Sequence, residues 1–177
     1  MNMDHTTENT GMETTPSFGA GQPPLHGVVV LDLTRVVAGP YCAMMLADLG
    51  ATAIKIEHPR DPDLTREFPP MRQNTGPADP ASGFFAQYNR NKLGVCLDLK
   101  HPEGKRVFLD MVARADIVLE NFRPGTIARR GLDYDAIRAV RPDIVYCSIS
   151  GYGQQGEWAS RGAYDHVIQA LTGMAMM

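Results

Sequence analysis

Residues 28–57 read VVVLDLTRVVAGPYCAMMLADLGATAIKIE, and this segment has the pattern of a strand, a helix and a second strand. Val28–Leu33 is almost continuously apolar, which predicts a buried strand. A helix is predicted to begin at Gly39-Pro40, and Gly50 is a typical helix stop. Ala51–Glu57 predicts the second strand. Strands separated by a helix favour a parallel sheet.

The same alternation continues along the rest of the chain. Further strands are predicted over Leu93–Leu99, Asp116–Glu120 and Asp143–Ser150. Further helices are predicted from His101 to about Ala115, and over Pro124–Arg130, Tyr134–Val140 and Tyr164–Met177. His58–Ser82 is rich in Pro, Asp and Arg without periodicity, which predicts a functional or mobile loop. The predicted fold class is α/β, Rossmann-like, with a largely parallel sheet and flanking helices.

Composition limits the function classes. The chain of 177 residues, with 44% hydrophobic and 21% charged residues, is typical of one globular domain. The net charge of -3 argues against a nucleic-acid partner, and no apolar run approaches the roughly 20 residues of a membrane span. Residues 1–24 show neither hydrophobic periodicity nor a signal-peptide pattern, so we expect a disordered leader and a cytoplasmic location. Residues 25–177 are predicted to form the domain.

Several common kinds of site lack their sequence patterns. No glycine fingerprint of a dinucleotide-binding strand–helix turn and no phosphate-binding loop with Gly-Lys-Ser/Thr is present. The five histidines lie singly, so we expect no metal site. The three cysteines lie far apart in apolar stretches, which favours reduced core thiols over disulfides or metal ligands: Cys42, Cys96 and Cys147.

Ligands of open α/β sheets bind where strands end, so the segments at strand ends are the candidate site. Cations near helix starts at Asn89–Lys92 and Asn121–Arg130 suit a phosphate-bearing, nucleotide-like ligand. The alternative is that Arg123, Arg129 and Arg130 form a solvated helix face, and their spacing leaves both interpretations open.

Asp165 lies where a polar loop gives way to an apolar helix. The simplest role of an aspartate at this position is to cap the helix N-terminus, which is worth about 1 kcal/mol. A nucleophilic role is compatible with this, because the positive end of a helix favours an ionised carboxylate.

Six segments in order resemble the class III CoA-transferase family, which includes formyl-CoA transferase, carnitine CoA-transferase and the related α-methylacyl-CoA racemases. The resemblance runs from about Leu25 to Met177. It rests on Val-Leu-Asp-Leu-Thr-Arg-Val-Val-Ala-Gly-Pro (30–40), Leu-Gly-Ala-Thr-Ala-Ile-Lys-Ile-Glu (49–57), Asn-Arg-Asn-Lys (89–92), Leu-Asp-Leu-Lys (97–100), Glu-Asn-Phe-Arg-Pro-Gly (120–125) and Tyr-Asp-x-x-x-Gln-Ala (164–170).

The resemblance implies a site for coenzyme A and a catalytic carboxylate. By it, Asp165 corresponds to the nucleophile, and CoA lies along Val36, Val37, Ala38, His58, Leu97, Asn121, Phe122, Arg129 and Tyr152. His58 stands where relatives often have arginine. Val37 stands where formyl-CoA transferase has a glutamine near the reacting carbonyl, which implies a different acyl preference. CoA and acyl-CoA are implied as substrates, and no tightly bound cofactor is expected.

The implied reaction moves CoA from an acyl-CoA to a carboxylic acid through an aspartyl anhydride and an aspartyl-CoA thioester. Two alternatives stay open: an α-methylacyl-CoA racemase, which works by proton transfer, and an inactive CoA-binding fragment. Family members have chains more than twice this length and form interlocked homodimers. We therefore expect the chain to be truncated at its C-terminal end and, by itself, to be inactive and unable to form that dimer.

Overall fold

The computed structural model describes residues 21–72 and 81–177. Its centre is a parallel sheet of five strands in the order β3-β2-β1-β4-β5. The strands are β1 (Val29–Asp32), β2 (Thr52–Glu57), β3 (Lys92–Cys96), β4 (Ile117–Glu120) and β5 (Val145–Ser148). All five strands are parallel, so their carboxyl ends lie at one edge of the sheet. The predicted α/β class is confirmed.

Five α-helices connect or follow the strands: α1 (Ala38–Asp48), α2 (Gly83–Asn89), α3 (Pro102–Val112), α4 (Tyr134–Val140) and α5 (Asp165–Leu171). Short 3-10 turns occupy Leu64–Glu67, Ala128–Arg130 and Met174–Met176. Among the described helices, none is long and apolar enough to cross a membrane.

The helices cover both faces of the sheet. On one face, small residues of α1 such as Ala43 and Ala47 pack against Val30 and Ala53. On the other face, Phe108 of α3 and residues of α4 pack against Leu31 and the neighbouring strands. Alternate residues of β1 therefore enter two different cores, as expected for a strand covered on both sides.

Two expectations about local structure were wrong, and part of two others lies outside the described residues. Helix α2 was not predicted and lies just after the predicted loop, where the Ser82 hydroxyl caps it by accepting from Phe85 N at 3.1 Å. The last helix ends at Leu171 instead of Met177, because Gly173 takes a left-handed conformation with φ 80°. Residues 73–80 of the predicted loop and residues 1–20 of the predicted leader lie outside the described residues.

The cysteines are free thiols, as predicted, but they are not all core residues. Cys96 is exposed on the edge strand β3, while Cys42 and Cys147 are half-buried against the core under α1. Burial raises the pKa of the Cys42 thiol. Cys96 was predicted to be a core residue, but it is exposed because β3 is an edge strand. The apolar sequence around Cys96 does not indicate this edge position.

Candidate active site

An open cleft lies at the carboxyl ends of β1 to β4. Its cavity volume is about 80 Å³, and it is open to solvent. Its walls are Leu33, Arg35, Ile56, Glu57, His58, Asp61, Leu97, Leu99, Lys100, Phe122 and Arg130. The lining thus combines apolar side chains with several cations, at the edge of the sheet where α/β proteins bind their ligands.

Most charged groups in or beside the cleft are engaged with each other. Arg35 binds Asp61 at 3.2 Å and the carbonyl of Pro62 at 2.7 Å. His58 Nε2 lies 3.5 Å from Asp98 Oδ1. Glu57 is held by Arg66, whose Nε lies 3.0 Å from Glu57 Oε1.

Two cations of the cleft differ from these. Within the described part of the chain, Lys100 and Arg130 form no ion pair. The Arg130 guanidinium lies 5.7 Å from the centroid of the Phe122 ring, so it is placed beside an aromatic wall of the cleft. An anionic ligand that enters the cleft can therefore bind these two cations without breaking an existing ion pair.

The loop between β1 and α1 is bound on several sides. Asn121 Oδ1 accepts from Arg35 N at 2.9 Å, and its Nδ2 donates to Arg35 O at 2.8 Å. Asp63 accepts from Val36 N at 3.2 and 3.3 Å. Lys55 Nζ donates to Thr34 O at 2.9 Å. These contacts link the loop to β2, to the segment after β2 and to the end of β4.

Two buried ion pairs lie beneath this loop. Lys55 and Asp63 meet at 3.2 Å, and Lys92 and Asp32 meet at 2.8 Å, with side chains at most 3% exposed. Burial would raise the pKa of Asp63, but the Lys55 charge and the hydrogen bonds from Thr65 outweigh it and hold the pKa below its usual range. Burial lowers the pKa of Lys92, although Asp32 opposes this effect.

Hydrogen-bonded polar side chains connect the ends of β4 and β5. The Glu120 carboxylate accepts from Phe122 N at 2.8 Å and from the Ser148 hydroxyl. Gln154 of the glycine-rich loop donates to Ser148 Oγ at 2.7 Å. Burial raises the pKa of Glu120 despite these two hydrogen bonds. These side chains join Phe122, in the wall of the cleft, to the loop that contains Tyr152.

Asp165 is an exposed residue of the first turn of α5. It does not cap the helix, because the N-cap residue is Tyr164 and the side chain of Tyr164 makes no capping hydrogen bond. Instead, Asp165 Oδ2 accepts from Gln169 Nε2, one helical turn later. The prediction that Asp165 is the N-cap is therefore wrong, because the N-cap position is the preceding residue.

Close packing places the start of α5 at the carboxyl edge of the sheet. Gly151, just after β5, lies so near Ala163 and Ile168 that an added Cβ would stand 2.6 Å and 3.2 Å from their side chains. A Cβ at Gly162 would stand 3.3 Å from Arg123 NH2. Since Arg123 directly follows Phe122, the helix with Asp165 begins at the same edge of the sheet as the cleft.

Comparison with known proteins decides the family. Residues 25–177 match the sequence model of the family described as CoA-transferase family III. The chain belongs to this family. A succinate–glutarate CoA-transferase of Agrobacterium fabrum is 40% identical over 153 residues, which are 86% of this chain and 38% of that protein. An acetyl-CoA:oxalate CoA-transferase of Acetobacter aceti is 41% identical over 164 residues, covering 93% of this chain and 40% of that protein.

The fold agrees with a solved structure of a family member. The CAIB/BAIF family protein from Brucella suis superposes with a TM-score of 0.80 at 37% identity, over 86% of this chain and 40% of that one. The chain thus spans about two-fifths of the length of these relatives. The predicted family and fold are confirmed.

The structure brings only some of the predicted CoA-binding residues of this family III chain into the cleft. His58, Leu97 and Phe122 line it. Val36, Val37 and Ala38 lie on the bound loop next to Arg35, and Asn121 binds that loop. Arg129 is exposed and donates to Thr126 Oγ1 at 3.2 Å, and the Tyr152 ring packs against Trp158 at 5.7 Å.

Sequence reasoning did not name two cations that line the cleft, Arg35 and Lys100, and it left Arg130 open between phosphate binding and a solvated helix face. Arg35 and Lys100 occur in two of the segments that carry the family resemblance, and Arg130 follows the predicted Arg129. Position at the end of a strand was the available signal for Arg35 and Lys100. In the described residues no cluster of His, Cys, Asp and Glu suits a metal ion.

Proposed function

We propose that the protein containing this chain is a CoA-transferase that moves coenzyme A from an acyl-CoA thioester to a carboxylic acid. The observation that supports this most is the cleft, where Lys100 and Arg130 lie beside apolar walls at the carboxyl edge of the sheet. A ligand with phosphates and an adenine ring needs both kinds of surface.

CoA is proposed to bind along this cleft and the adjoining loop as a substrate, not as a tightly held cofactor. Lys100, Arg130 and Arg129 contribute positive charge for its phosphates. Leu97 and Phe122 contribute apolar contacts, with His58 beside them. Val36, Val37, Ala38, Asn121 and Tyr152 complete the proposed surface, of which Asn121 acts through the backbone of Arg35.

Asp165 is the proposed nucleophile. An oxygen of its carboxylate attacks the thioester carbonyl, the carbon–sulfur bond breaks, and CoA leaves as a thiolate with an aspartyl anhydride formed. The thiolate then attacks the aspartyl carbonyl and releases the donor acid, which gives an aspartyl-CoA thioester. The acceptor carboxylate reverses both steps, and the Asp165 carboxylate is regenerated.

The chain's own residues meet the first of two requirements of this chemistry, an accessible nucleophile. The carboxylate of Asp165 is accessible, and Gln169 Nε2 binds one of its oxygens, which leaves the other free to attack. The anhydride must be shielded from water, because hydrolysis would waste the thioester energy. Since Asp165 is exposed, we propose that bound acyl-CoA and a further protein surface, such as that of the family's homodimer, cover it.

The transferase proposal is tested against racemisation in one experiment. The full-length protein, meaning the natural protein that contains this chain, is incubated with succinyl-CoA or acetyl-CoA and with glutarate, oxalate or malate. Formation of a new acyl-CoA that depends on the acceptor acid supports the proposal. Incorporation of solvent deuterium at the α-carbon of a 2-methylacyl-CoA, with no dependence on an acceptor, would instead indicate racemase chemistry.

A further inference from the structure

Val36 holds an unusual backbone conformation. Its φ is 72°, in the left-handed region that a β-branched side chain rarely enters. Such residues are kept in place by their surroundings, and they cluster at functional sites. Val36 directly precedes Val37 and Ala38, which the proposed function places against CoA.

Asp63 and Lys55 bind the backbone at Val36 and just before it. Asp63 approaches Val36 N with both carboxylate oxygens, at 3.3 and 3.2 Å. Lys55 Nζ binds Thr34 O at 2.9 Å and Asp63 Oδ2 at 3.2 Å. The pair therefore fixes the N–H of Val36 and the carbonyl two residues before it.

This ion pair is almost completely buried. The side chain of Lys55 is 3% exposed and that of Asp63 is 0% exposed. Buried ion pairs can commonly be replaced by apolar residues of similar volume without loss of stability, because removing both charges from water is costly. Asp63 also stabilises the fold, because it caps the turn at Leu64–Glu67 by accepting from Thr65 N at 3.1 Å. The contacts of the pair to the loop backbone indicate that it fixes the geometry of the loop as well.

We propose that Lys55 and Asp63 are positioning residues, which hold Val36 in the left-handed conformation and so set the place of Val37 and Ala38 against bound acyl-CoA. This inference rests on the proposed function. Neither residue is proposed to contact the substrate. The cations proposed to bind CoA are different residues, so loss of the pair is expected to lower the rate of the reaction more than the affinity for CoA.

The test uses three variants of the full-length protein: Asp63→Asn, Lys55→Met, and the double variant Lys55→Met/Asp63→Leu. We expect kcat to fall about 10- to 100-fold in each, since small displacements of a reacting group have effects of this size. The KM for acyl-CoA is expected to change less than about threefold. The double variant leaves no unpaired buried charge, so its melting temperature is expected to be higher than those of the single variants while its kcat stays low. Its melting temperature is not expected to reach the wild-type value, because Val36 N and Thr65 N lose their acceptor.

Asp116→Asn is the matched control. Like Asp63, Asp116 accepts from a backbone N–H, that of Val29 at 2.9 Å, and binds a cation, Arg141 at 3.2 Å, but it lies at the opposite edge of the sheet. We expect this variant to lower the melting temperature and leave kcat unchanged.

The result that overturns the inference is a double variant whose kcat recovers together with its stability, because the pair would then be structural only. If the double variant is insoluble, Asp63→Asn decides: a wild-type kcat in that variant overturns the inference. Absence of transferase activity in the wild-type protein would instead contradict the proposed function.

Discussion

Charged residues at the carboxyl edge of the sheet are largely paired with one another, and this pairing determines which of them can bind an anion. Arg35 is engaged by Asp61, and Lys55 by Asp63. Within the described residues Lys100 and Arg130 form no ion pair, although the charge of Lys100 contributes to the lowered pKa of Asp98. The binding of a phosphate is therefore expected to depend more on these two residues than on the number of cations nearby.

Arg130→Ala and Arg129→Ala in the full-length protein are each expected to weaken CoA binding by about 1–3 kcal/mol, the usual cost of losing a charge-assisted hydrogen bond. Calorimetry at moderate salt measures the change. Arg114→Ala is the control, because Arg114 is exposed just before β4, at the other edge of the sheet. Unchanged affinity in the Arg129 variant would assign that residue to a solvated helix face, and unchanged affinity in the Arg130 variant would contradict the proposed site.

Asp165→Ala in the full-length protein is expected to reduce transferase turnover by about three orders of magnitude or more, because no other group replaces a covalent nucleophile. Asp135→Ala is the control, since Asp135 is also an exposed first-turn carboxylate of a seven-residue helix. Asp165→Asn is expected to remain folded, because the residue does not cap α5. Near wild-type turnover in the Asp165→Ala variant would contradict the nucleophilic role.

The lowered pKa of Asp63 predicts a loss of stability in acid. A carboxyl whose pKa is lower in the folded state stabilises the fold above its unfolded value of about 4, and this contribution is lost as the pH falls through the folded pKa. Urea unfolding of the wild-type protein and of Asp63→Asn is compared between pH 7 and pH 3. We expect the wild type to lose more free energy of unfolding below about pH 4. Equal losses would show that Asp63 does not contribute.

Among the elements, the turn into α1 is closely packed. A Cβ on Gly39 would stand 2.3 Å from Thr34 Cβ, and Thr34 is itself held by Asp32, which accepts from Thr34 N at 2.9 Å. Only glycine fits there without a shift of the loop.

Gly39→Ala is therefore expected to lower the free energy of unfolding by about 1–3 kcal/mol, as overpacking does. Gly94→Ala in β3 is the control, because nothing lies within 4 Å of the added Cβ, and its effect is expected to be smaller than about 0.5 kcal/mol. Chemical denaturation measures both. Equal stability of the two variants would show that the turn can relax around the methyl group.

The strands, α1, α3 and α4 could be predicted from the sequence because their apolar residues repeat at the spacing of a strand or helix. Helix α2 could not, since its seven residues include three aromatic residues, which are weak helix formers, and show no longer repeat. It is stabilised by tertiary contacts such as the edge-to-face pair of Phe84 and Phe68. The Ser82 cap and Gly173 were present as local signals, and both were overlooked.

At the scale of the whole molecule, the location of the site was predictable and its internal contacts were not. Parallel strands bring their carboxyl ends together, so residues that follow different strands converge. The contacts that hold the loop, however, join residues far apart in sequence, such as Asn121 and Arg35. The sequence near either residue does not indicate that Asn121 binds the backbone of Arg35 instead of a ligand.

The 177-residue chain produced alone is expected to associate and to show no CoA transfer. Apolar side chains are exposed at and after α5, including Leu171 at 53%, Met174 at 61% and Met176 at 89%. Adjacent apolar surfaces of this kind promote association. Light scattering and a transferase assay check this. A monodisperse species that transfers CoA to an acceptor acid would contradict the prediction.

Covalent acylation of Asp165 can be detected by mass spectrometry. The full-length protein is incubated with an acyl-CoA, trapped with hydroxylamine and digested with trypsin. Asp165 is the only carboxylic side chain within residues 162–177, so a modification in that part of the peptide after Arg161 identifies it. We expect an acyl-CoA-dependent hydroxamate at Asp165, absent without acyl-CoA. An active enzyme that acquires the modification on another residue, or on none, would contradict this expectation.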